Sequence, residues 1–267
     1  MKVLLLLAST LAAGCSQASA TEKLVLTGSS TVAPLAAEIG KRFETLHPVV
    51  HVDVQSGGSG RGVADARADL ADIVMVSRAL KEDEQDLAAF PIALDGVCVI
   101  LHGNNPVTAL SDEQVVSIYK GQITNWRDVG GHDAPITVVN KAEGRSTLEL
   151  FCHYFQLKNT EIQAHVVIGD NQQGIKTVAG NPDSIGYVSI GTAEYEAGHW
   201  TPIRLMPVGG VAASIANVKN GTFPLSRPLN LVVHGTPTEL AREFIEYAGS
   251  PAVHDLVQEQ YFVPLAE

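Results

Sequence analysis

Residues 24–35 read Leu-Val-Leu-Thr-Gly-Ser-Ser-Thr-Val-Ala-Pro-Leu and pass from a short apolar strand through a turn of small residues into a helix. The predicted helix has one apolar face, formed by Leu35, Ile39 and Phe43 at helical spacing. Backbone amides at a helix start lack partners within the helix, so the turn at 28–31 is suited to holding an anion. The simpler alternative is that Ser30 or Thr31 only caps the helix.

The same order of strand, turn and helix recurs along the chain. Alternating valines over 50–54 predict a strand, the glycine-rich residues 56–62 a turn, residues 63–70 a helix and residues 72–76 a buried strand. Further helices are expected to begin at residues with capping character, namely Ser111 with Gln114, Thr236 before Pro237, and Ser250 before Pro251. This alternation predicts an α/β fold with a mostly parallel sheet and ligands beyond the carboxyl ends of the strands.

Composition limits the classes of partner. The chain has 267 residues, of which 45% are hydrophobic, enough for a substantial core. Its 18 Lys and Arg against 29 Asp and Glu give a formal net charge of −11. Nucleic-acid and anionic membrane surfaces need clustered basic residues, so neither is an expected partner. Any anion that the protein binds must be held in a local pocket.

The N-terminus has the pattern of an export signal. Lys2 precedes an apolar run over residues 3–13, which is too short to span a bilayer but suits a secretory signal. We predict that residues 1–20 are a signal peptide. Cleavage after Gly14 would leave Cys15 as a lipidated N-terminus, whereas cleavage after Ala20 would release a protein without an anchor.

The remaining cysteines and the histidines do not indicate a metal site. Cys98 and Cys152 are predicted in different elements, and two separate thiols are favoured over a disulfide. The nine histidines are scattered, and no Cys-x-x-Cys or His-Glu-x-x-His spacing occurs. We therefore expect neither a metal nor a cofactor.

The glycine-rich turn at 56–62 is a second candidate for ligand binding. Its glycines allow a ligand to approach the backbone, and Ser59 can donate a hydroxyl, although such a loop is also an ordinary turn. It matches neither a dinucleotide-binding loop nor a hydrolase nucleophile elbow. Arg78, directly after the predicted strand 72–76, is either a further donor or a surface arginine.

Residues 141–147, Lys-Ala-Glu-Gly-Arg-Ser-Thr, form the third such turn. They place two cations and two hydroxyls at a predicted helix start, where cations are unfavourable unless an anion lies between them. The alternative is a solvated loop in which Glu143 pairs with Lys141. The Lys and Gly positions exclude a Walker A loop.

These turns, together with other segments, carry a resemblance that covers almost all of the mature chain. The chain resembles the PstS family, the extracytoplasmic receptors of ABC-type phosphate uptake. The segments that match are 28–34, 56–62, 72–78, 92–97, 119–126, 185–188 and 261–265. The resemblance implies an α/β, two-lobed periplasmic binding protein fold of type II architecture, with two hinge strands and phosphate in the cleft. We expect residues 21–96 and 190–267 to form lobe I and residues 97–189 to form lobe II.

The resemblance also implies a set of phosphate-binding residues. The family's hydroxyl and amide donors fall on Ser30, Thr31 and Ser59 in the first lobe and on Ser146 and Thr147 in the second. The predicted site is completed by Gly60, Arg78, Lys141 and Arg145. Because Arg145 lies beside Ser146 and Thr147 at the helix start, we expect it to contribute more to anion binding than Lys141.

Two departures from the family pattern concern charge. Lys141 stands where the family usually has arginine, and Arg145 replaces a serine. A guanidinium fork has thus become a point charge at 141, and a new fork has appeared four residues later. In part of the family a carboxylate near the position of Arg78 accepts the ligand's proton, and that acid is absent here. Asp95 either compensates for it or is only a turn residue before Gly96.

The function that follows is an exported phosphate receptor that delivers its ligand to ABC transporter permease subunits. We expect a monomer that needs no cofactor and touches the membrane only through a lipid anchor on Cys15. A receptor for another tetrahedral oxyanion is the first alternative. A phosphate monoester hydrolase is the second, but no histidine adjoins a candidate nucleophilic serine in the sequence and no metal cluster is evident.

Overall fold

The computed structural model describes residues 22–265, so Cys15 and both predicted cleavage sites lie outside the described residues. The α-helices are α1 (Ala33–Leu46), α2 (Ser59–Arg67), α3 (Asp112–Tyr119), α4 (Ser146–Tyr154), α5 (Asn171–Ala179), α6 (Ile190–Gly198), α7 (Ile215–Lys219), α8 (Glu239–Ala248) and α9 (His254–Glu259). The strands are β1 (Glu22–Gly28), β2 (Val50–Ser56), β3 (Ile73–Val76), β4 (Leu87–His102), β5 (Thr137–Lys141), β6 (Val166–Ile168), β7 (Ser184–Ser189), β8 (Ile203–Leu205), β9 (Ser226–His234) and β10 (Val263–Pro264).

Strand β4 links the two halves of the sheet. Its first part pairs with β9 and β10, and its second part, from Val97 onward, pairs with β7 and β8. The strand order is β2-β1-β3-β9-β4-β7-β5-β6. A single strand therefore belongs to the sheets of both lobes, and Asp95 lies close to the crossing.

The prediction of a mostly parallel sheet is wrong for the central strands β4 and β9. Strands β1, β2 and β3 pair in parallel, as do β5, β6 and β7. The long strands β4 and β9 pair antiparallel with each other and with their neighbours. The parallel units are thus separated by two antiparallel strands that connect the lobes, which local strand-turn-helix patterns do not reveal.

Two large hydrophobic cores define the lobes. The first packs α1, α8 and α9 against the β1 side of the sheet and includes Leu26, Ile39 and Phe244. The second surrounds the β7 side and includes Trp126 and Phe151. Burial of these large apolar side chains is the main stabilising contribution.

The second core also contains side chains from the chain between β7 and β9, namely Ile190, Ala193, Ile203, Met206, Val208, Val218, Phe223 and Leu225. This segment was expected in lobe I. Strand β8 also pairs with the second part of β4. We therefore propose that the lobe boundary lies close to Ser226 rather than at residue 190.

Helix caps confirm one sequence prediction and correct another. Ser111 and Gln114 form the expected capping box of α3. For α8 the cap is Thr238, whose hydroxyl accepts a hydrogen bond from the Ala241 amide, and not Thr236. In the part of the chain that the structure describes, no helix is both long and apolar enough to cross a membrane.

Candidate functional site

Arg227 lies at the centre of the site, where the lobes meet on β9. Its side chain is almost completely buried, with a relative exposure of 2%. Nη1 donates to the Thr147 hydroxyl of the second lobe at 3.1 Å, and Nη2 donates to the Thr31 hydroxyl of the first lobe at 3.3 Å. Nη1 also lies 3.4 Å from the Ser77 hydroxyl. One guanidinium thus contacts three hydroxyls at the lobe interface.

Asp95 balances the charge of Arg227. Its Oδ2 accepts hydrogen bonds from Arg227 Nη2 at 2.8 Å and Nε at 3.1 Å. Its Oδ1 accepts from the Ser189 hydroxyl at 2.9 Å and from the Gly191 amide at 3.3 Å. Both oxygens are therefore engaged, so Asp95 orients the arginine and is not free to accept a proton from a ligand.

Hydroxyls of the first lobe converge on the same point from two turns. Thr31 and Ser59, two of the residues predicted to bind the anion, are both buried. The Ser59 hydroxyl accepts from the Ser77 amide at 3.2 Å. Neither Ser30 nor Thr31 caps α1 with its side chain; the Ser29 hydroxyl accepts from the Thr31 and Val32 amides in the turn that precedes the helix. Ser30 is half-buried and faces a cavity.

The second lobe contributes Lys141, which ends β5 with a relative exposure of 2%. Its Nζ donates to the Asn171 side-chain oxygen at 3.0 Å, and the Asn171 side-chain nitrogen donates to the Thr31 hydroxyl at 3.2 Å. Burial lowers the pKa of Lys141 to about 7, an effect that Asp170 opposes and that Arg227 and Arg145 reinforce. An anion beside this amine would favour its charged form.

Helix α4 begins at the same place. Ser146 and Thr147 are buried in its first turn, where the amide dipoles favour a negative charge. The Ser146 hydroxyl is buried and has no hydrogen-bond partner among residues 22–265, which is costly unless a ligand or water supplies one. Arg145 directly precedes the helix, is half-buried, and makes no side-chain hydrogen bond or ion pair within the described part of the chain.

Arg78, predicted to bind the anion, is engaged elsewhere. Nη1 and Nη2 form a bidentate pair with Glu84, both at 2.7 Å, and Nε donates to Glu149 on α4. A fourth bond goes to the Ala79 carbonyl. Arg78 therefore joins the lobes through carboxylates, and we remove it from the candidate ligand residues.

Gly60 also has a different role from the one predicted. Its amide donates to the Gly144 carbonyl of the other lobe at 3.0 Å, so that donor is occupied. A Cβ atom on Gly60 would lie 3.1 Å from the Gly144 Cα, and one on Gly58, whose φ is +100°, would lie 2.8 Å from the Gly144 carbonyl oxygen. Glycine is needed here because the two backbones touch.

The opposite edge of the cleft is open. A cavity of about 570 Å³ lies between the lobes there. Its lining includes Ser30, Thr31, Asp170, Asn171, Thr192, Tyr195, Glu259 and Gln260. Thr31 and Asn171 thus line this cavity and also contact Arg227 and Lys141, while backbone and side-chain contacts join the lobes on the side of Gly60 and Arg78.

The structure unites most of the predicted residues and adds two that the sequence analysis missed. Thr31, Ser59, Lys141, Ser146 and Thr147 surround the buried centre. Arg227 and Asn171 were not predicted. An arginine inside an apolar strand is the one signal that marks Arg227, while Asn171 carries no comparable signal. Within residues 22–265 no group of three or more His, Cys, Asp or Glu side chains could hold a metal ion, and Cys98 and Cys152 are free thiols.

Two lobes around a buried cluster of cationic and hydroxyl donors are the features of a binding protein that encloses a small anion. A family model described as the PBP superfamily domain matches residues 15–252, and the chain belongs to this superfamily. Within it, the chain is similar to the phosphate-binding protein PstS of Bacillus subtilis (strain 168). The two are 25% identical over 253 residues, which cover 93% of this chain and 82% of the relative.

The chain is also similar to solved structures of phosphate-transport proteins. A substrate-binding protein of a phosphate ABC transporter from Clostridium perfringens, solved with bound phosphate, is 31% identical with a TM-score of 0.85. That match covers 92% of this chain and 100% of the other. An ABC-type phosphate transport receptor from Vibrio cholerae is 29% identical with a TM-score of 0.76, over 91% of this chain and 100% of the other. The two-lobed binding-protein fold expected from the sequence is confirmed.

Proposed function

We propose that this protein is an extracytoplasmic receptor that binds inorganic phosphate between its lobes and delivers it to an ABC transporter permease. The observation that carries the proposal is the buried group of donors around Arg227, in which Lys141 lacks a carboxylate partner and the Ser146 hydroxyl lacks any partner within the described residues. An anion with several oxygens satisfies these donors at once. The similarity to phosphate receptors of ABC transporters supports the choice of phosphate.

The proposed ligand residues are those whose donors face the buried centre or its open edge: Ser30, Thr31, Ser59, Lys141, Arg145, Ser146, Thr147 and Arg227. Neutral hydroxyls and helix-start amides can replace the hydration of a dianion without adding surplus charge. The acidic exterior does not oppose this, because exposed charges are screened over about 10 Å at ordinary ionic strength.

Calorimetric titration of ligand-stripped protein with phosphate, sulfate, arsenate and molybdate tests the proposal. We expect saturable binding of phosphate and arsenate at one site per chain, with sulfate and molybdate weaker. Molybdate or sulfate as the tightest ligand would instead establish a receptor for another oxyanion. No phosphate binding at all would refute the proposal.

The protein is further proposed to bind its ligand without transforming it and to act as a monomer. No histidine hydrogen-bonds to Ser30, Thr31 or Ser59 among the contacts of residues 22–265, so the usual activation of a serine nucleophile has no support. Incubation with a chromogenic phosphate ester should release no product. Sedimentation of the phosphate-bound protein should give the mass of one chain.

The proposed location rests on the N-terminal sequence. Lipidation of Cys15 would hold the mature chain on the membrane surface without a spanning helix. The mature protein should then fractionate with membranes until detergent is added, and Cys15→Ser should release it or prevent its processing. A mature protein that begins with unmodified Thr21 would contradict the lipid anchor and leave export intact.

A further inference from the structure

Lys141 is an unusual cation because it is buried without a counter-ion. Its Nζ contacts only the Asn171 amide oxygen at 3.0 Å among the described residues, and no carboxylate lies within ion-pair distance. An ammonium in such a place is held in its charged form only weakly, so the neutral amine is accessible at ordinary pH. The neutral amine differs from an arginine in one respect that matters for a ligand: it can accept a proton.

The charged groups that face Lys141 come from three elements. Arg227 on β9 and Arg145 before α4 oppose its protonation, and Asp170, which precedes α5, favours it. Glu149 on α4 is already paired with Arg78 and Lys81. From β7, the Tyr187 hydroxyl accepts from the Lys141 backbone amide at 3.3 Å and does not reach the amine.

Carboxylates that could take a proton from the ligand are scarce at this site. Asp95 has both oxygens engaged by Arg227, Ser189 and Gly191. Asp170 lies at the open edge, and its Oδ1 caps α5 by accepting from the Gln173 amide at 2.8 Å. The central hydroxyls can accept as well as donate, so they suit a protonated and an unprotonated anion alike. Among the central cations of the described residues, Lys141 is the one that can lose its proton and become an acceptor.

We propose that Lys141 is the specificity-determining residue that separates a protonated oxyanion from a fully ionised one, because its neutral amine accepts the proton that phosphate carries and sulfate lacks. This inference rests on the proposed phosphate-binding function. The exchange is balanced: P–OH and the lysine NH₂ share one proton, which either stays on oxygen in an O–H···N bond or moves to give P–O⁻ and NH₃⁺. No proton is drawn from solvent. Sulfate has no proton to give, and a buried dianion without one favours the ammonium over the neutral amine, so the sulfate complex draws that proton from water.

The two anions should therefore differ in how their affinity responds to alkaline pH. Burial lowers the pKa of Lys141 to about 7 in the free protein, so above that pH the free amine is mostly neutral. Sulfate affinity should then fall about tenfold for each pH unit, since each complex requires one added proton. Phosphate affinity should stay level between pH 8 and 9, where its second ionisation is complete and it brings the required proton itself.

Calorimetric titration of ligand-stripped protein at pH 8 and 9, in pairs of buffers with different ionisation enthalpies, measures both quantities. For sulfate we expect uptake of about one proton per ion bound, and for phosphate about none. Equal uptake with both anions would overturn the inference, as would no uptake with either. Failure to bind phosphate would refute the receptor function itself, which is a separate and recognisable result.

Substitutions at Lys141 and Asp170 test which side chain accepts the ligand's proton. Lys141→Arg keeps a cation that does not lose its proton, so the pH dependence of sulfate binding and its proton uptake should both disappear. Lys120→Arg, at a surface lysine paired with Glu161, is the matched control and should behave like the parent. Asp170→Asn tests the remaining carboxylate, and loss of the phosphate–sulfate difference in that variant, but not in Lys141→Arg, would contradict the role of Lys141. Should Lys141→Arg fail to fold, the proton counts of the parent protein still decide the question.

Discussion

Arg227 and Arg78 are both buried at the junction of the lobes, and both are held by a carboxylate, yet only one of them suits a ligand. The donors of Arg78 end on Glu84, Glu149 and a backbone carbonyl. Arg227 is held along one edge by Asp95, and its other contacts are the hydroxyls of Thr31, Ser77 and Thr147 and the Ser77 carbonyl. Hydroxyls can turn toward an incoming anion and carboxylates cannot, so the partners of a buried arginine reveal its role better than its burial.

The strongest test of this difference is Arg227→Ala. The substitution should lower phosphate affinity by about a hundredfold, because at least two charge-assisted bonds to the ligand are lost. It also leaves Asp95 buried without its counter-ion, which should reduce the free energy of unfolding by about 3–5 kcal/mol. Calorimetric titration and denaturant unfolding measure the two effects. A folded Arg227→Ala protein with parental affinity would show that the ligand site lies elsewhere.

Lys141→Ala and Arg145→Ala form a matched pair within one turn. The sequence analysis favoured Arg145 as the stronger contact, but the structure buries Lys141 and leaves Arg145 half-exposed. Because water screens an exposed charge, Lys141→Ala should weaken phosphate binding roughly ten- to a hundredfold and Arg145→Ala less than tenfold. The reverse order in a titration would restore the first expectation.

Arg78→Ala should affect folding more than binding. The substitution strands the buried Glu84 carboxylate, and we expect a loss of about 3 kcal/mol in unfolding free energy with less than a fivefold change in phosphate affinity. Arg67→Ala, which breaks an exposed pair with Asp86, is the control and should cost about 1 kcal/mol or less. A hundredfold loss of phosphate affinity in Arg78→Ala would show that Arg78 contributes to ligand binding as much as Arg227 does.

The Arg78 effect should also depend on pH. Burial alone would raise the pKa of Glu84, but hydrogen bonds from Arg78 and from the Lys81 amide hold it below its ordinary value. A carboxylate with a lowered pKa stabilises the fold fully above its unfolded pKa and loses that contribution as pH falls through the folded one. The stabilities of the parent and Arg78→Ala should therefore converge below about pH 4.

Glu149→Gln should give the smallest effect. Glu149 on α4 meets Arg78 and Lys81 of the other lobe, so these bonds exist only while the lobes are together. The carboxylate is partly exposed, and its loss should weaken phosphate binding only two- to fivefold by making closure less favourable. Glu161→Gln removes a pair inside one lobe and should leave affinity unchanged. Equal losses of phosphate affinity in the two variants would show that the bonds of Glu149 do not contribute to closure of the lobes.

Local signals predicted much of this molecule from its sequence. Strand, turn and helix around Thr31 are encoded by adjacent residues, so their order was foreseeable. Around Ser59 the predicted helix over 63–70 is wrong in its bounds, because α2 begins at Ser59 itself and the glycines of 56–62 do not delay its start. Arg227 lies 132 residues from its partner Asp95, and no local pattern joins them. Each is a charged residue inside an apolar stretch, a combination that indicates a buried pair but names no partner. The lobe boundary that we propose near Ser226 is likewise not encoded locally, because it depends on which core the 190–225 segment joins.

The start of α8 shows a second, smaller limit of what the sequence alone predicts. Thr236 and Thr238 both precede a helical pattern, and either could supply a capping hydroxyl. The structure selects Thr238. A shift of two residues is decided by how α8 packs its apolar side chains against the first core, which the cap itself does not encode.

The contact between Gly60 and Gly144 has a consequence for the thermodynamics of closure. Ordering a flexible side chain at an interface costs about 0.5–1.5 kcal/mol of conformational entropy. At this one contact of the closed edge the lobes meet through an amide and a carbonyl of two residues that have no side chain. Their contact immobilises no rotamer, so more of the free energy gained from the anion remains as affinity. Even alanine at Gly60 would place its Cβ 3.1 Å from the Gly144 Cα, so the two backbones would have to separate slightly for the edge to close.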